Sequence, residues 1–504
     1  MQTCFLGKAY PLGLLLAGTA ILAVACGETD LDGATSVESS AAALGVSTTA
    51  YEAESLTRTA SAVGSKVTSD AAASGGKYVE FNGTAASGAW IEFSLPNVAA
   101  GTYDFKFLFK SNTNRGIIQA SVDGANQGST CNEYAATVAY KVSCSLGSKV
   151  LSAGNHQIRF TVTGKNSTSS GYQLVVDQVS LTSRVTGPCD IYSAGGTPCV
   201  AAHSTVRALF GAYNGKLYQV RNAAGVTKDI STLTAGGAAN AAAQDNFCAG
   251  TTCVITVVYD QTGKGNDLWY QGAGSPVGGK DTPASATGES VKVSGNSVYS
   301  LYINPGNSYW VDGSQHGVPL GSAPEGMYMV ASGTHYNSGC CFDYGNSEVG
   351  RNYVQATARD AVNFSNNTMW GYGAGSGPWV MADFEAGIYT QSTYSPPMNL
   401  SDPTQSAPFV TAVLKNNGVT EFALRGGNAT SGSLGTYYKG ALPSGLGPMK
   451  KQGAIVLGSS GECCLTNTSL SRGTFYEGCL VSGYPSDATE DAVQANIVAA
   501  GYGK

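Results

Sequence analysis

Two stretches of this sequence carry side chains whose types and spacing could do chemistry. "PWVMADFEAG", residues 378 to 387, sets Asp383 and Glu385 two positions apart. Read as a strand, it sends Val380, Ala382 and Phe384 to one face and Trp379, Met381, Asp383 and Glu385 to the other. The first set is uniformly apolar and suits a core. The second offers an aromatic plate and two carboxyl groups roughly 6.6 Å apart along the strand. Like-charge repulsion raises the pKa of one or both acids, and a sugar site can use that arrangement. Two acids on a wet sheet face would read the same way from these residues alone.

The second stretch is "THYNSGCCFDYGN", residues 334 to 346, where Cys340 and Cys341 are adjacent. If they bond to each other the ring is very small. Consecutive Cα atoms lie about 3.8 Å apart across a trans peptide, below the roughly 4.4–6.8 Å of an ordinary bridged pair. Strained backbone tends to persist at functional sites.

The elements that position these residues read as strands. Only 12% of the 504 residues are charged, while Gly (66) and Tyr (27) are abundant, so the exterior must be built from hydroxyls and amides rather than ions. The net charge is −6 with no basic cluster, which argues against nucleic acid as a partner. In "TYDFKFLFKS", Tyr103, Phe105, Phe107 and Phe109 alternate with Asp104, Lys106 and Lys110. In "HQIRFTVTG", Ile158, Phe160 and Val162 repeat the pattern. Short period-2 runs broken by Gly, Asn and Ser turns predict an all-β protein, with residues 51–184 forming an antiparallel β-sandwich. A composition shift near "TSRVTGPCD" opens a second, larger region, 187–504.

The N-terminus reads as an export signal, with Lys8 before the apolar run "LGLLLAGTAILAVA". The run ends in "LAVAC", which resembles a bacterial lipobox and makes Cys26 the acylated first mature residue. Residues 27–50 lack aromatic residues and periodicity and read as a flexible linker. Thirteen cysteines fit an oxidising compartment. Cys131 with Cys144, Cys189 with Cys199, and Cys248 with Cys253 are close enough in sequence for local bridges, and Cys340 with Cys341 would be the vicinal one. With Cys4 removed in the signal and Cys26 the lipid site, Cys463, Cys464 and Cys479 remain as an odd set that leaves a free thiol.

The opening "YEAES" and closing "YQLVVDQVSLTS" of the first region, with "GAWIEFSLPNVAAGTYDFKF" between, resemble carbohydrate-binding modules of families 6 and 35. The resemblance implies polysaccharide binding and a structural calcium held by Glu52, Glu54 and Asp177, hard oxygen ligands of the kind calcium prefers. It does not place the sugar-binding aromatics. Trp90 lies in a strand, where core packing is as good a role as binding.

In the second region, "GPCDIYSAGGTPCVAAHSTVRALF", "EGMYMVASGTHYNSGCCFDYGN", "MWGYGAGSGPWVMADFEAG" and "TFYEGCLVSGYPSDATEDAVQANIVAA" resemble the catalytic domain of glycoside hydrolase family 54, the α-L-arabinofuranosidases. Glycosidases generally need one protonated and one ionised carboxyl group flanking the scissile bond. The resemblance implies that Glu385 is the nucleophile, that Asp383 grips sugar hydroxyls, that Trp370 lines the site, and that Cys340 and Cys341 form a vicinal disulfide against the sugar ring. The family's acid/base is an aspartate after Gly-Gly; here "IVLGSSGECCLTN" gives Gly461 and Glu462. The family's asparagine after the nucleophile is replaced by Ala386. These two departures bear on which furanoside is preferred.

The expectation is therefore an exported, lipid-anchored or secreted monomer made of two β-sandwiches. It would remove terminal arabinofuranosyl groups from arabinose-containing plant cell-wall polysaccharide with retention, and no redox or nucleotide cofactor is implied. The alternatives are a furanosidase for another five-membered-ring sugar and a non-catalytic polysaccharide-binding protein. Glu477 and Asp260 are expected to serve strand-edge hydrogen bonds and turn structure. Four scattered histidines give no HExxH motif, "AAHST" lacks a GxSxG partner, and "GYGAGSGPW" opens no βαβ unit.

Overall fold

The computed structural model describes residues 48–98, 101–352, 355–393, 397–459 and 462–504, the side chains of Glu462 and Cys463 excepted. The export signal, Cys26 and most of the 27–50 linker lie outside the described residues. The last linker positions do not: strand Thr48–Glu52 begins three residues before Tyr51, because Thr48 to Glu52 pair in antiparallel register with Thr182 to Gln178. Among the described residues no helix is long and apolar enough to cross a membrane.

Residues 48–184 form two facing antiparallel sheets and a small third one. The order of the first is Thr48–Glu52, Gln178–Arg184, Gly101–Ser111, Ala139–Leu151. The second runs Arg58–Ala60, Trp90–Val98, Gly154–Lys165, Gly116–Val122, Ala125–Asn132. The alternation expected from sequence sets the core. Phe105, Phe107 and Phe109 from the first sheet and Ile158, Phe160 and Val162 from the second are all buried in one cluster. The rings of Phe107 and Phe160 meet across the interface with centroids 4.7 Å apart. Trp90 is half-buried and carries the Arg159 guanidinium over its ring, 4.1 Å from the centroid.

Residues 187–504 build a second sandwich with a separate core. One sheet has the order Cys199–Ser204, Gly473–Ser482, Glu325–Tyr336, Phe409–Asn416, Glu421–Asn428, Gly435–Ala441, with Leu301–Ile303 also paired to Gly473–Ser482. The other runs through ten strands and ends Ala454–Gly458, Asp343–Ser347, Asp360–Ser365, Trp379–Asp383, Ile388–Tyr389. On this last group Tyr344, Val362, Phe364, Val380 and Ala382 point into the core between the sheets. Period 2 then commits Asp343, Asn363, Met381 and Asp383 to the opposite face.

Two side roles differ in outcome. Asp260 does organise a turn, accepting N–H groups of Ala202 and Thr262 on Oδ1 and of Asn266 on Oδ2. Glu477 is not a strand-edge group. Its strand lies inside the sheet, and its buried carboxylate pairs with Arg207 through two hydrogen bonds of 2.5 and 2.6 Å while accepting the hydroxyls of Tyr328 and Tyr502. A charge in that position persists only because every oxygen is satisfied.

The four anticipated disulfides are all closed: Cys131–Cys144, Cys189–Cys199, Cys248–Cys253 and Cys340–Cys341. The Cys340–Cys341 peptide is cis, with Cα atoms 3.0 Å apart, not the trans link assumed from sequence. Cys479 is a buried free thiol.

Candidate active site

Strand Trp379–Asp383 ends at Asp383, so the alternation that reaches Asp383 stops there. Glu385 lies beyond it in the left-handed region, with φ +63°. Its N–H donates to Asp383 Oδ1 at 2.8 Å, closing a tight turn. The two carboxyl groups are thus placed by a turn at a strand end, not by neighbouring positions on one sheet face. Trp379 is also not an open plate: it is 2% exposed, and its Nε1 donates to the carbonyl of Ala374.

Arg359, just before strand Asp360–Ser365, holds the acids together. Its Nη1 lies 3.2 Å from Asp383 Oδ2 and 3.5 Å from Asp343 Oδ2. Its Nη2 lies 2.9 Å from both Glu385 Oε2 and Glu348 Oε2. Antiparallel register explains the meeting. Asn346 pairs with Asp360 and Ala361 pairs with Asp383, so the end of the Asp343 strand, the start of the Asp360 strand and the end of the Asp383 strand coincide.

One guanidinium faces four buried or nearly buried carboxyl groups, so the cluster must retain protons. Burial pushes the Glu385 carboxyl up to about 9; Arg359 opposes this, while the charges of Glu348 and Asp383 reinforce it. Burial, then the charge of Asp383, drives Asp343 well above the usual carboxylate range. Glu348 is the opposite case: burial alone would raise it, but Arg359 and contact with Glu385 hold it below the ordinary value.

The vicinal disulfide completes this side of the site. The sulfurs of Cys340 and Cys341 and a carboxylate oxygen of Asp383 all lie within 4.8 Å of one another. Cys341, Trp379, Met381 and Ile388 form a small apolar cluster, with Cys340, Trp370 and Tyr372 packed on it. The Ser459 hydroxyl fixes the cysteines by accepting the Cys341 N–H at 3.0 Å and donating toward the carbonyls of both. Ser459 directly precedes the segment that carries Gly461 and Glu462. Gly461 and the Glu462 side chain lie outside the described residues; the Glu462 backbone opens helix Glu462–Thr466.

Sequence reading therefore anticipated Cys340, Cys341, Trp370, Asp383 and Glu385, which the structure brings together, and missed Arg359, Asp343 and Glu348. Asp343 had a signal: it follows the cysteines by two residues and alternates with core-facing Tyr344. Arg359 in "ATARDAV" had none.

These features have a family counterpart. The family described as "Alpha-L-arabinofuranosidase B, catalytic" matches residues 188–503. The chain belongs to this family. A probable α-L-arabinofuranosidase B of Aspergillus fumigatus is 54% identical over 325 residues, 63% of this chain and 63% of that protein. An arabinofuranosidase/B-xylosidase of Trichoderma koningii is 53% identical over 323 residues, again covering 63% of each. A crystal structure of an arabinofuranosidase complexed with arabinofuranosyl-α-1,2-xylobiose shares 48% identity at a TM-score of 0.59, covering 63% of this chain and 66% of that one. A GH54 α-L-arabinofuranosidase soaked with a cyclic sulfate inhibitor is 49% identical at the same TM-score. The chain spans about 63% of the length of the curated relatives it matches.

The first sandwich holds a separate carboxylate group. Glu52 Oε1 accepts from Ser74 Oγ at 2.9 Å and Gln178 Nε2 at 2.8 Å, and both oxygens of Asp177 face the Ser74 N–H. A Cβ on Gly75 would stand 3.0 Å from Glu54 Oε1 and 3.3 Å from Glu52 Oε2, so the three acids surround the Ser74–Gly75 backbone. Glu52 Oε2 and Glu54 Oε2 are buried without a donor among the described residues. Burial, reinforced by the charges of Glu52 and Glu54, raises Asp177 to about 6 against the pull of the Ser74 N–H. Converging oxygens short of donors fit a hard cation such as calcium. The same sandwich carries a cleft of about 700 Å³ lined by Asn82, Thr84, Asn114, Tyr172, Gln173 and Lys66, among others.

Proposed function

We propose that this protein is a retaining, exo-acting α-L-arabinofuranosidase that removes terminal arabinofuranosyl groups from arabinan- or arabinoxylan-type polysaccharide. The observation that carries the reading is the juxtaposition of the Cys340–Cys341 sulfurs with Asp383, on the turn that presents Glu385. In this reading the disulfide is a rigid, polarizable plate for one face of a small sugar ring, with Trp370 beside it. Asp383 accepts sugar hydroxyls. Glu385, once ionised, attacks the anomeric carbon and forms a glycosyl-enzyme. Glu462, protonated at first, gives its proton to the leaving oxygen and then draws one from water. Arg359 fixes both Asp383 and Glu385, keeping the two acids in one geometry.

The first sandwich serves as a polysaccharide-binding module, its amide- and tyrosine-lined cleft offering donors and acceptors for sugar hydroxyls. Glu52, Glu54 and Asp177 would hold calcium there in a structural role. The four disulfides support export to an oxidising compartment, with Cys26 as lipid anchor and the mature protein a monomer.

The test is release of 4-nitrophenol from 4-nitrophenyl α-L-arabinofuranoside, alongside other aryl furanosides and an aryl β-xyloside. Turnover of the arabinofuranoside, lost in Glu385→Gln with sugar binding retained, is the expected result. Preference for another furanoside would move the assignment to that sugar, a reading favoured by Glu462 and Ala386. Sugar binding with no turnover of any glycoside would make it a binding protein.

A further inference from the structure

The sulfur plate is tied to a closed ring of buried polar groups that none of the steps above uses. Ser459 follows strand Ala454–Gly458, and three backbone groups of the cysteine pair converge on its hydroxyl. Its Oγ accepts the Cys341 N–H at 3.0 Å and lies 3.2 and 3.1 Å from the carbonyl oxygens of Cys340 and Cys341. The same oxygen lies 3.0 Å from Ser471 Oγ, which lies 3.1 Å from Ser469 Oγ. The Ser469 N–H donates to Asp281 Oδ1 at 2.8 Å, and the Ser308 hydroxyl donates to Asp281 Oδ2 at 2.5 Å. Gln271 Nε2 closes the ring by donating to Ser308 Oγ at 2.9 Å and to the Ser459 carbonyl at 2.7 Å. None of the six residues is more than 3% exposed, so bulk water does not replace a lost member.

A disulfide between neighbouring residues ties the chain to nothing but itself, so the place of the plate beside Asp383 depends on other contacts. Its side chains pack with Trp379, Met381 and Ile388. Its backbone is held by Ser459. We propose that Ser459 is a positioning residue for sugar binding: anchored by the ring, it sets where the Cys340–Cys341 plate stands in the site. The inference rests on the reading in which the sulfurs face the sugar. Removing the hydroxyl leaves the Cys341 N–H buried without its acceptor, and the pair shifts to recover one. The rest of the loop stays in place, because Asn337 Nδ2 donates to the Leu470 carbonyl at 3.0 Å and Asn367 Nδ2 to the Ser338 carbonyl at 2.9 Å. Asp383 and Glu385 are held separately by Arg359. The loss therefore falls on binding more than on turnover.

The experiment is steady-state kinetics on 4-nitrophenyl α-L-arabinofuranoside for the wild type, Ser459→Ala, Ser459→Thr, the Cys340→Ala, Cys341→Ala double variant and the triple variant with Ser459→Ala. In Ser459→Ala, KM should rise about fivefold with kcat changed less than about twofold, and Ser459→Thr, which keeps the hydroxyl, should stay within about twofold of the wild type. Without the two cysteines, Ser459→Ala should change KM by less than about twofold, since no plate is left to orient. A merely structural serine would lower the unfolding temperature without this coupling. An unchanged KM in Ser459→Ala, or the same rise with and without the cysteines, would overturn the proposal. If Ser459→Ala does not fold, Ser471→Ala decides it: the hydroxyl loses its anchor, KM should rise about threefold, and an unchanged KM would overturn the proposal. A wild type without turnover would sink the glycosidase reading by itself. The same comparison is then made on the Kd of methyl α-L-arabinofuranoside by calorimetry, with the same expected and contrary results, and a wild type that does not bind this sugar would overturn both.

Discussion

Asp383 and Glu385 are joined by a hydrogen bond: the Glu385 N–H donates to Asp383 Oδ1 at 2.8 Å, while Asp383 Oδ2 faces Arg359 Nη1 at 3.2 Å. One carboxylate therefore shapes the turn that holds Glu385 and is itself held by the guanidinium that binds Glu385. Asp383→Asn keeps the shape and an acceptor for the turn but loses the charge facing Arg359. Its kcat/KM for an aryl arabinofuranoside should fall by about 10²-fold or more, with kcat falling along with KM rising, because the charged hold on Arg359 and the sugar grip are lost together. A change confined to KM would show that Asp383 only binds.

The disulfide gives a contrasting prediction. In the double variant Cys340→Ala, Cys341→Ala, the plate beside Asp383 is gone while both carboxyl groups remain. KM should rise about tenfold, equivalent to roughly 1.4 kcal/mol of binding, with a smaller change in kcat. Steady-state kinetics check it, and an unchanged KM would remove the sulfurs from the sugar site.

How much of this was legible beforehand depends on the range of the interaction. Period-2 alternation is local, so Phe105, Phe107, Val380 and Ala382 were placed on core faces from the sequence alone. The same rule carried Asp383 to the correct face and then failed at Glu385, because the strand ends first and a positive φ redirects the chain. Arg359 was invisible for a different reason. A buried cation is positioned by partners 11 to 26 residues away in either direction, and such pairing leaves no periodic trace. Glu477 was misjudged likewise: an acid in an apolar strand looks like an edge until Arg207, 270 residues away, supplies its partner.

Calcium and pH should be coupled in the first sandwich. Without metal, Asp177 titrates near 6 in the folded protein, above its ordinary value of 3.8. The folded form then binds the proton more tightly than the unfolded chain. Its stabilising effect is complete below about 4 and is lost as pH rises through about 6. Metal-free protein should therefore unfold at a lower temperature at pH 7 than at pH 4.5 in the transition of this sandwich. Calcium should raise the pH 7 transition by a few degrees, and Asp177→Asn should weaken both effects. Differential scanning calorimetry with and without chelator measures this; a transition indifferent to calcium at pH 7 would exclude the site.

The Glu462 role predicts a substrate-dependent loss. Glu462→Gln should lose about 10²–10⁴-fold on arabinan, whose leaving group needs a proton, and less on an aryl arabinofuranoside with an activated leaving group. Added azide should restore turnover of the aryl substrate and yield an α-arabinofuranosyl azide, the product of retention. Equal losses on both substrates, without azide rescue, would assign the acid to another residue.

The central claim is that Glu385 forms a covalent glycosyl-enzyme. The measurement that tests it most directly is mass spectrometry of the protein after incubation with an arabinofuranose-configured cyclic sulfate, followed by peptide mapping. The account predicts a single adduct on the peptide containing "ADFEAG", at Glu385, together with loss of arabinofuranosidase activity. An adduct on Asp383, Glu348 or Glu462, or inactivation without any covalent adduct, would contradict it.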